Sequence, residues 1–195
     1  MRLSPSFQII IFDFDGTLTL EDSFRYYCLS SAIPISIRII FFCLHAVGLF
    51  DRRAIRYAKK IFLANYNRWK IRRSSHHKRA INHLRNAVNL DFMNSFAADY
   101  RAILTATPEC ILEDLFLDVE IIGAKLIKGE LIEPYGQDKN FFINEIRRRN
   151  EVSGSVYYVG DSDSDRETVA VVDQFILVKK FEIVEIIAGQ SSPLK

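Results

Sequence analysis

Short apolar runs and longer stretches of helical periodicity follow one another along the 195-residue chain. Residues 7–12, Phe-Gln-Ile-Ile-Ile-Phe, are almost continuously apolar and rich in isoleucine. That pattern predicts a strand covered on both faces, as in a parallel sheet. From residue 22 to 94 the apolar positions recur at helical spacing, with no convincing strand. Helices are expected over 23–32 and 35–47, separated by Pro34 and ended by Gly48. A third starts at an Asp51 cap and aligns Ala54, Ile55, Ala58, Ile61 and Phe62 on one face; two more cover 76–88 and 90–98. Strand patterns return at 102–105, 119–122, 155–159 and 175–178, with a hairpin over 125–132 turning at Lys128-Gly129. Helices are predicted after Thr107-Pro108, where proline suits a first turn, and over 138–149 and 163–172. This alternation predicts an α/β fold built on a doubly wound parallel sheet. Residues 1–20 and 98–195 form the expected core, and 21–97 an α-helical insertion after the first strand.

Composition changes this picture little. Hydrophobic residues make up 49% and charged ones 26%, so disorder is expected only around 4–6 and 191–193. Charge adds more. The net +2 conceals fourteen Lys and Arg against four Asp and Glu in the insertion, hence +10 there and −8 elsewhere. Such a division suggests two units with different tasks. Cys28, Cys43 and Cys110 are widely spaced with no CxxC pair to suggest zinc, and three thiols cannot close into a disulfide framework, which suits a reducing cytoplasm. The first apolar run is too short for a secretory signal and leads straight into carboxylates, so a cytoplasmic location is expected.

Candidate chemistry gathers at element ends. Asp13-Phe-Asp15-Gly16-Thr17 follows the first strand, at the edge where open α/β sheets bind ligands. Two carboxylates two residues apart suit covalent phosphoryl transfer, one attacking phosphorus and the other exchanging protons with the leaving oxygen and with water. By spacing alone the motif also fits a solvated turn or a calcium site. Thr105 ends the second core strand and can bond a phosphate oxygen, while Thr107 can cap the next helix. Lys139 opens the helix at 138 and can neutralise transition-state charge; Lys125, in the hairpin, is its rival. Gly160-Asp161-Ser162-Asp163-Ser164-Asp165 supplies oxygen donors suited to Mg2+. A calcium loop counted from Asp161 fails, because Arg166 stands where glycine is needed and Val172 where glutamate is needed.

Taken together and in this order, Asp13-x-Asp15-Gly-Thr, Thr105, Lys139 and Gly-Asp161-x-x-x-Asp165 resemble the haloacid dehalogenase superfamily. The likeness covers about 5–20 and 98–190, and the insertion point resembles the class-one helical cap of the phosphoserine phosphatase-like branch. The resemblance implies a Rossmann-like core in which Asp13 is the nucleophile and Asp15 the general acid and base. It also implies that Thr105 and Lys139 hold phosphate, with Lys139 orienting Asp13. Asp13, the Asp15 main-chain carbonyl and Asp161 would bind Mg2+, and Asp165 would support metal-bound water or Lys139. True dehalogenases usually lack a carboxylate at the position of Asp15, so phosphate esters are the expected substrates. Ser162 and Ser164 replace the glycine and asparagine common in phosphoserine phosphatases, and Glu21 or Asp22 could match their substrate-side acid. Hydrolysis through an aspartyl-phosphate is the expected activity; a phosphotransferase, or a catalytically silent phosphate-binding module, is the alternative.

The insertion is expected to choose the substrate, a small phosphorylated metabolite or a lipid-derived phosphate ester. Residues 33–50 are unusually apolar, and Arg38 near their centre favours a buried helix over a membrane span. Peripheral membrane contact through this insertion is the second reading. The basic run 68–79 with Trp69 reads as a solvated face, and no nucleic acid is expected. His45, His76, His77 and His83 lie outside the motifs and receive no catalytic role.

Overall fold

The computed structural model describes residues 7–30, 33, 35–48, 51–67, 71–116, 118–150 and 154–189. The expected loose ends, Pro34 and Trp69 lie outside these residues.

The apolar run forms β1 (Gln8–Phe12), and Ile9, Ile10, Ile11 and Phe12 are all buried. It is central because neither of its faces can meet water. Strands β2 (Tyr100–Pro108), β3 (Glu120–Ile127), β4 (Glu130–Ile132), β5 (Ser155–Gly160), β6 (Gln174–Lys179) and β7 (Glu182–Ala188) complete one sheet in the order β4-β3-β2-β1-β5-β6-β7. β1 pairs in parallel with β2 on one side and β5 on the other, and β3 and β6 continue the parallel run. The hairpin strands β4 and β7 are antiparallel to β3 and β6. Chain order therefore reverses at β1, which opens a crevice beyond its C-terminal end.

Helices α1 (Ser23–Leu29), α2 (Ile35–Gly48), α3 (Arg52–Asn65), α4 (Ser75–Ala87) and α5 (Leu90–Asn94) lie between β1 and β2 in the chain. Asp51 caps α3 by accepting from the Arg53 amide. Phe24, Tyr27, Phe41, Phe62, Ile81 and Leu84 of α1 to α4 form an apolar cluster that Ile111, just after β2, also joins. Met93 of α5 instead joins the sheet cluster containing Ile10, Phe12 and Phe14. On the other face of β1, Ile9 and Ile11 meet Ile143 and Ile146 of α7 (Lys139–Arg149).

Several elements differ from the expectation. β2 runs on to Pro108, and the helix after it, α6 (Glu109–Leu112), is a single turn. The register of β2 against β3 shifts between Leu104 and Pro108, so the strand bulges where Thr105 and Thr107 sit. The third strand and the first arm of the hairpin are one strand, β3. Its turn places Lys128 at φ 52° and Gly129 at φ 83°, the backbone of a tight hairpin with positive φ at both central residues. Residues 163–170 wind as a 3-10 helix rather than an α-helix. β7 was not expected at all; its turn residues Lys180 and Phe181 take positive φ without glycine or asparagine to announce it. No helix among the described residues is long and apolar enough to cross a membrane.

Candidate active site

Asp13 leaves β1 with its amide bonded to the Val159 carbonyl at 2.8 Å, which locks it beside the end of β5. Lys139, at the start of α7, is 2% exposed. Its ammonium lies 3.4 Å from Asp13 Oδ1 and 2.5 Å from Asp165 Oδ1, and donates to the Tyr158 hydroxyl at 2.6 Å. Burial alone would lower its pKa, but Asp13 and Asp165 outweigh that and hold the ammonium above its usual range. Asp165 is further fixed by the Ser162 hydroxyl at 2.8 Å.

Asp13, Asp161 and Asp165 each bring a carboxylate oxygen within 4.8 Å of the others. Burial raises the Asp13 pKa from 3.8 to about 7; Lys139 opposes this, while Asp165 and Asp15 add to it. Burial and then Asp165 also raise Asp161, against the pull of Lys179. Negative charge is thus concentrated beyond what one lysine offsets. Three hard oxygen donors with unrelieved charge fit Mg2+, which needs only a few carboxylates alongside other oxygens. Asp165 is already engaged by Lys139 and Ser162, so Asp13 and Asp161 are the carboxylates best suited to a cation. Gly16 makes the approach possible: it sits at φ +80°, and a Cβ there would fall 2.0 Å from Asp161 Oδ2.

The Asp15 carboxylate points away from this cluster. The Ser23 amide donates to its Oδ1 at 2.9 Å and the Thr107 hydroxyl to its Oδ2 at 2.6 Å. Ser23 Oγ and Thr107 Oγ1 are themselves 3.0 Å apart. Burial raises the Asp15 pKa, and these two contacts oppose the rise. A carboxyl held by donors yet biased toward its neutral form can exchange protons. Thr107 is therefore tied to Asp15 and does not cap the next helix, where Pro108 makes no side-chain cap bond. Thr105 is 2% exposed and its hydroxyl accepts from the Thr107 amide.

A cavity of about 490 Å³ adjoins these groups, lined by Asp15, Gly16 and Asp161 from the sheet edge and by Thr107, while Asp13, Thr105, Lys139 and Asp165 do not line it. Helices α1, α2 and α3 supply Phe24, His45, Arg52, Ile55 and Lys59 to its wall. Lys59 is nearly buried, donates to the Ala106 carbonyl, and pairs with the buried Glu133, which Arg52 and Arg56 also approach. Lys125, the rival lysine, pairs with Glu109 instead. Glu21 also lines the cavity and meets His83 at 2.8 Å, while Asp22 caps α1 through the Arg25 amide.

The sequence gives no site role to Ser23, Tyr158 or Lys59, and offers Thr107 only as a helix cap. Thr107 carried a signal, since it lies two residues from Thr105 and so on the same face of an extended strand. Ser23, Tyr158 and Lys59 carried none, because each acts through a contact distant in sequence.

The chain is similar to several solved structures. A haloacid dehalogenase family hydrolase from Salmonella enterica serovar Typhi superposes with a TM-score of 0.53 at 13% identity, over 85% of this chain and 60% of its own. A protein of unknown function from Bordetella pertussis Tohama I gives 0.50 at 15% identity, over 89% and 90%. A phospho-aspartyl intermediate analogue of phosphoserine phosphatase gives 0.45 at 16%, over 85% and 83%. No curated protein matches the sequence. The sequence itself matches the haloacid dehalogenase-like hydrolase family over residues 10–169, a span that takes in the end of β1, helices α1 to α5, Lys139 and the Asp161–Asp165 turn. With the motifs, the sheet order and that match in agreement, the chain belongs to the haloacid dehalogenase-like hydrolases.

Proposed function

We propose that the protein is a Mg2+-dependent phosphomonoesterase of the phosphoserine phosphatase-like kind, working through an aspartyl-phosphate on Asp13. The observation that carries this reading is the division of labour between two neighbouring carboxylates. Asp13 faces Lys139 and the acidic cluster, whereas Asp15 is turned to neutral donors. Asp13 Oδ attacks the phosphorus of the ester as the bond to the leaving oxygen breaks. Asp15 gives that oxygen its proton, then takes one from the water that hydrolyses the acyl phosphate. Lys139 neutralises the phosphoryl oxygens with Thr105, and Asp165 with Tyr158 holds Lys139 in place. Asp13, Asp161 and the Asp15 carbonyl would hold Mg2+, whose charge keeps the buried nucleophile ionised and offsets the charge of the phosphoryl group.

The helical insertion serves as a cap that excludes water and selects the alcohol being released. Its contribution to the cavity is mixed, with Phe24 and Ile55 beside the cationic Arg52 and Lys59, which suits a small phosphorylated metabolite or a lipid-derived ester. Turnover of p-nitrophenyl phosphate with Mg2+ tests the reading. Wild type should hydrolyse it and Asp13→Asn should lose at least about a thousandfold, as removal of a covalent nucleophile does. An absence of metal-dependent turnover across a broad ester panel would leave a phosphate-binding module as the better description.

A further inference from the structure

Helix α2 reverses the usual order of an amphipathic helix. Ile35, Ile39, Ile40, Phe42 and Val47 are each at least half exposed, while Phe41 is fully buried. The remaining exposed side chains described on this helix, Cys43 and Ala46, are apolar too. Together they sweep an arc of about 160° around the axis. Arg38 and His45 stand on the opposite side, half-buried with Phe41. Single exposed apolar residues are ordinary, but seven gathered in one stripe mark a surface that something covers.

Charge indicates what that is. The segment 21–97 around α2 carries +10. Arg25 and Leu29 of α1 share a surface cleft with Phe42 and Ala46, and Arg53 and Arg56 are exposed on α3, which packs against α2. A second copy of the chain placed on the stripe by a two-fold axis would set these positive surfaces against each other. An anionic lipid surface would instead receive the arginines at its headgroups and the stripe below them. At 14 residues, or about 21 Å, α2 is too short for a hydrocarbon layer of ~30 Å, so it can lie on a bilayer but not cross it.

We propose that α2 is an interfacial helix that docks the protein on an anionic bilayer surface. His45 and Gly48 of the same helix line the catalytic cavity, so docking holds that cavity close to the lipid headgroups. Co-sedimentation with vesicles tests this without reference to enzymatic activity. The protein should pellet at least about tenfold more with phosphatidylglycerol–phosphatidylcholine vesicles than with phosphatidylcholine alone. The excess should vanish in ~0.5 M salt, which screens the headgroup attraction. Ile39→Gln combined with Phe42→Gln places good helix formers at exposed positions, so the fold should survive, verified by an unchanged far-UV spectrum. This variant should lose about tenfold or more of the vesicle binding. Equal pelleting of parent and variant overturns the proposal. So does a wild-type dimer by light scattering that the double variant converts to monomer, since a second copy would then own the stripe.

Discussion

Removing the charge of Asp13 should stabilise the metal-free protein, and should do so only at higher pH. The folded state holds this carboxyl at about 7 against an ordinary 3.8, mainly through burial, and its side chain keeps only 14% exposure. Between those two pH values the unfolded chain has released the proton while the folded protein retains it. Folded protein therefore binds more protons, and stability must fall as pH rises from about 4 to 7, then level off. At ~1.4 kcal/mol for each pH unit of displacement, the full loss is about 4 kcal/mol. Asp13→Asn has no proton to lose and leaves Lys139 its contact with Asp165. Any cost of the amide itself is the same at every pH, so the difference between variant and parent is the quantity to follow. Calorimetric melting in EDTA near pH 5 and near pH 8 measures it. Only the part of that loss above pH 5, about 2 pH units or ~3 kcal/mol, falls between the two conditions; for a chain of this size it corresponds to roughly 6–12 °C, which is what the variant should gain on the parent. Mg2+ should close the gap by stabilising the parent alone, by about 2.7 kcal/mol at a hundredfold excess over its dissociation constant. A difference in melting temperature that stays constant with pH would refute the assignment of Asp13 as a buried, charge-strained carboxylate.

Other perturbations follow from individual contacts. Lys139→Met leaves Asp13 and Asp165 without their shared cation, and should cost about 3–5 kcal/mol near pH 8 by denaturant unfolding, recovering as pH falls and Asp13 takes up its proton. Thr107→Val removes the hydroxyl that holds Asp15 down, so the alkaline limb of the kcat/KM profile should move to higher pH while turnover drops about tenfold. An unmoved limb would detach Thr107 from the acid. Glu133→Ala leaves Lys59, Arg52 and Arg56 crowded without their carboxylate; melting should fall by an amount equivalent to about 3 kcal/mol or more, and unchanged melting would show that this tie between α3 and the sheet is not needed.

What could be read in the sequence was whatever depends on neighbours along the chain. The isoleucine run announces β1 because burial on both faces leaves no room for polar residues. Asp51 announces the start of α3 because a cap needs a side chain two or three residues before the amide it serves. Asp13, Asp15, Lys139, Asp161 and Asp165 stand at strand and helix ends, and fold class alone brings such ends together. The hidden parts depend on pairing. β7 is almost wholly exposed, so it lacks the apolar alternation of a covered strand, and its hydrogen bonds to β6 leave no mark in composition. β2 runs on past Thr105 through a register shift against β3, a pairing that no local pattern announces. Glu133 and Lys59 lie 74 residues apart, and nothing local requires either to find the other.

The central claim is a covalent phosphate on Asp13. Mixing Asp15→Asn with a phosphate ester and Mg2+, quenching in acid, and mapping the peptides by mass spectrometry reads it directly. The added phosphoryl group should appear on the peptide carrying Asp13, and be absent when Asp13 is also replaced by Asn. A phosphoryl group found on another residue, or ester hydrolysis that persists at the wild-type rate without Asp13, would contradict the account.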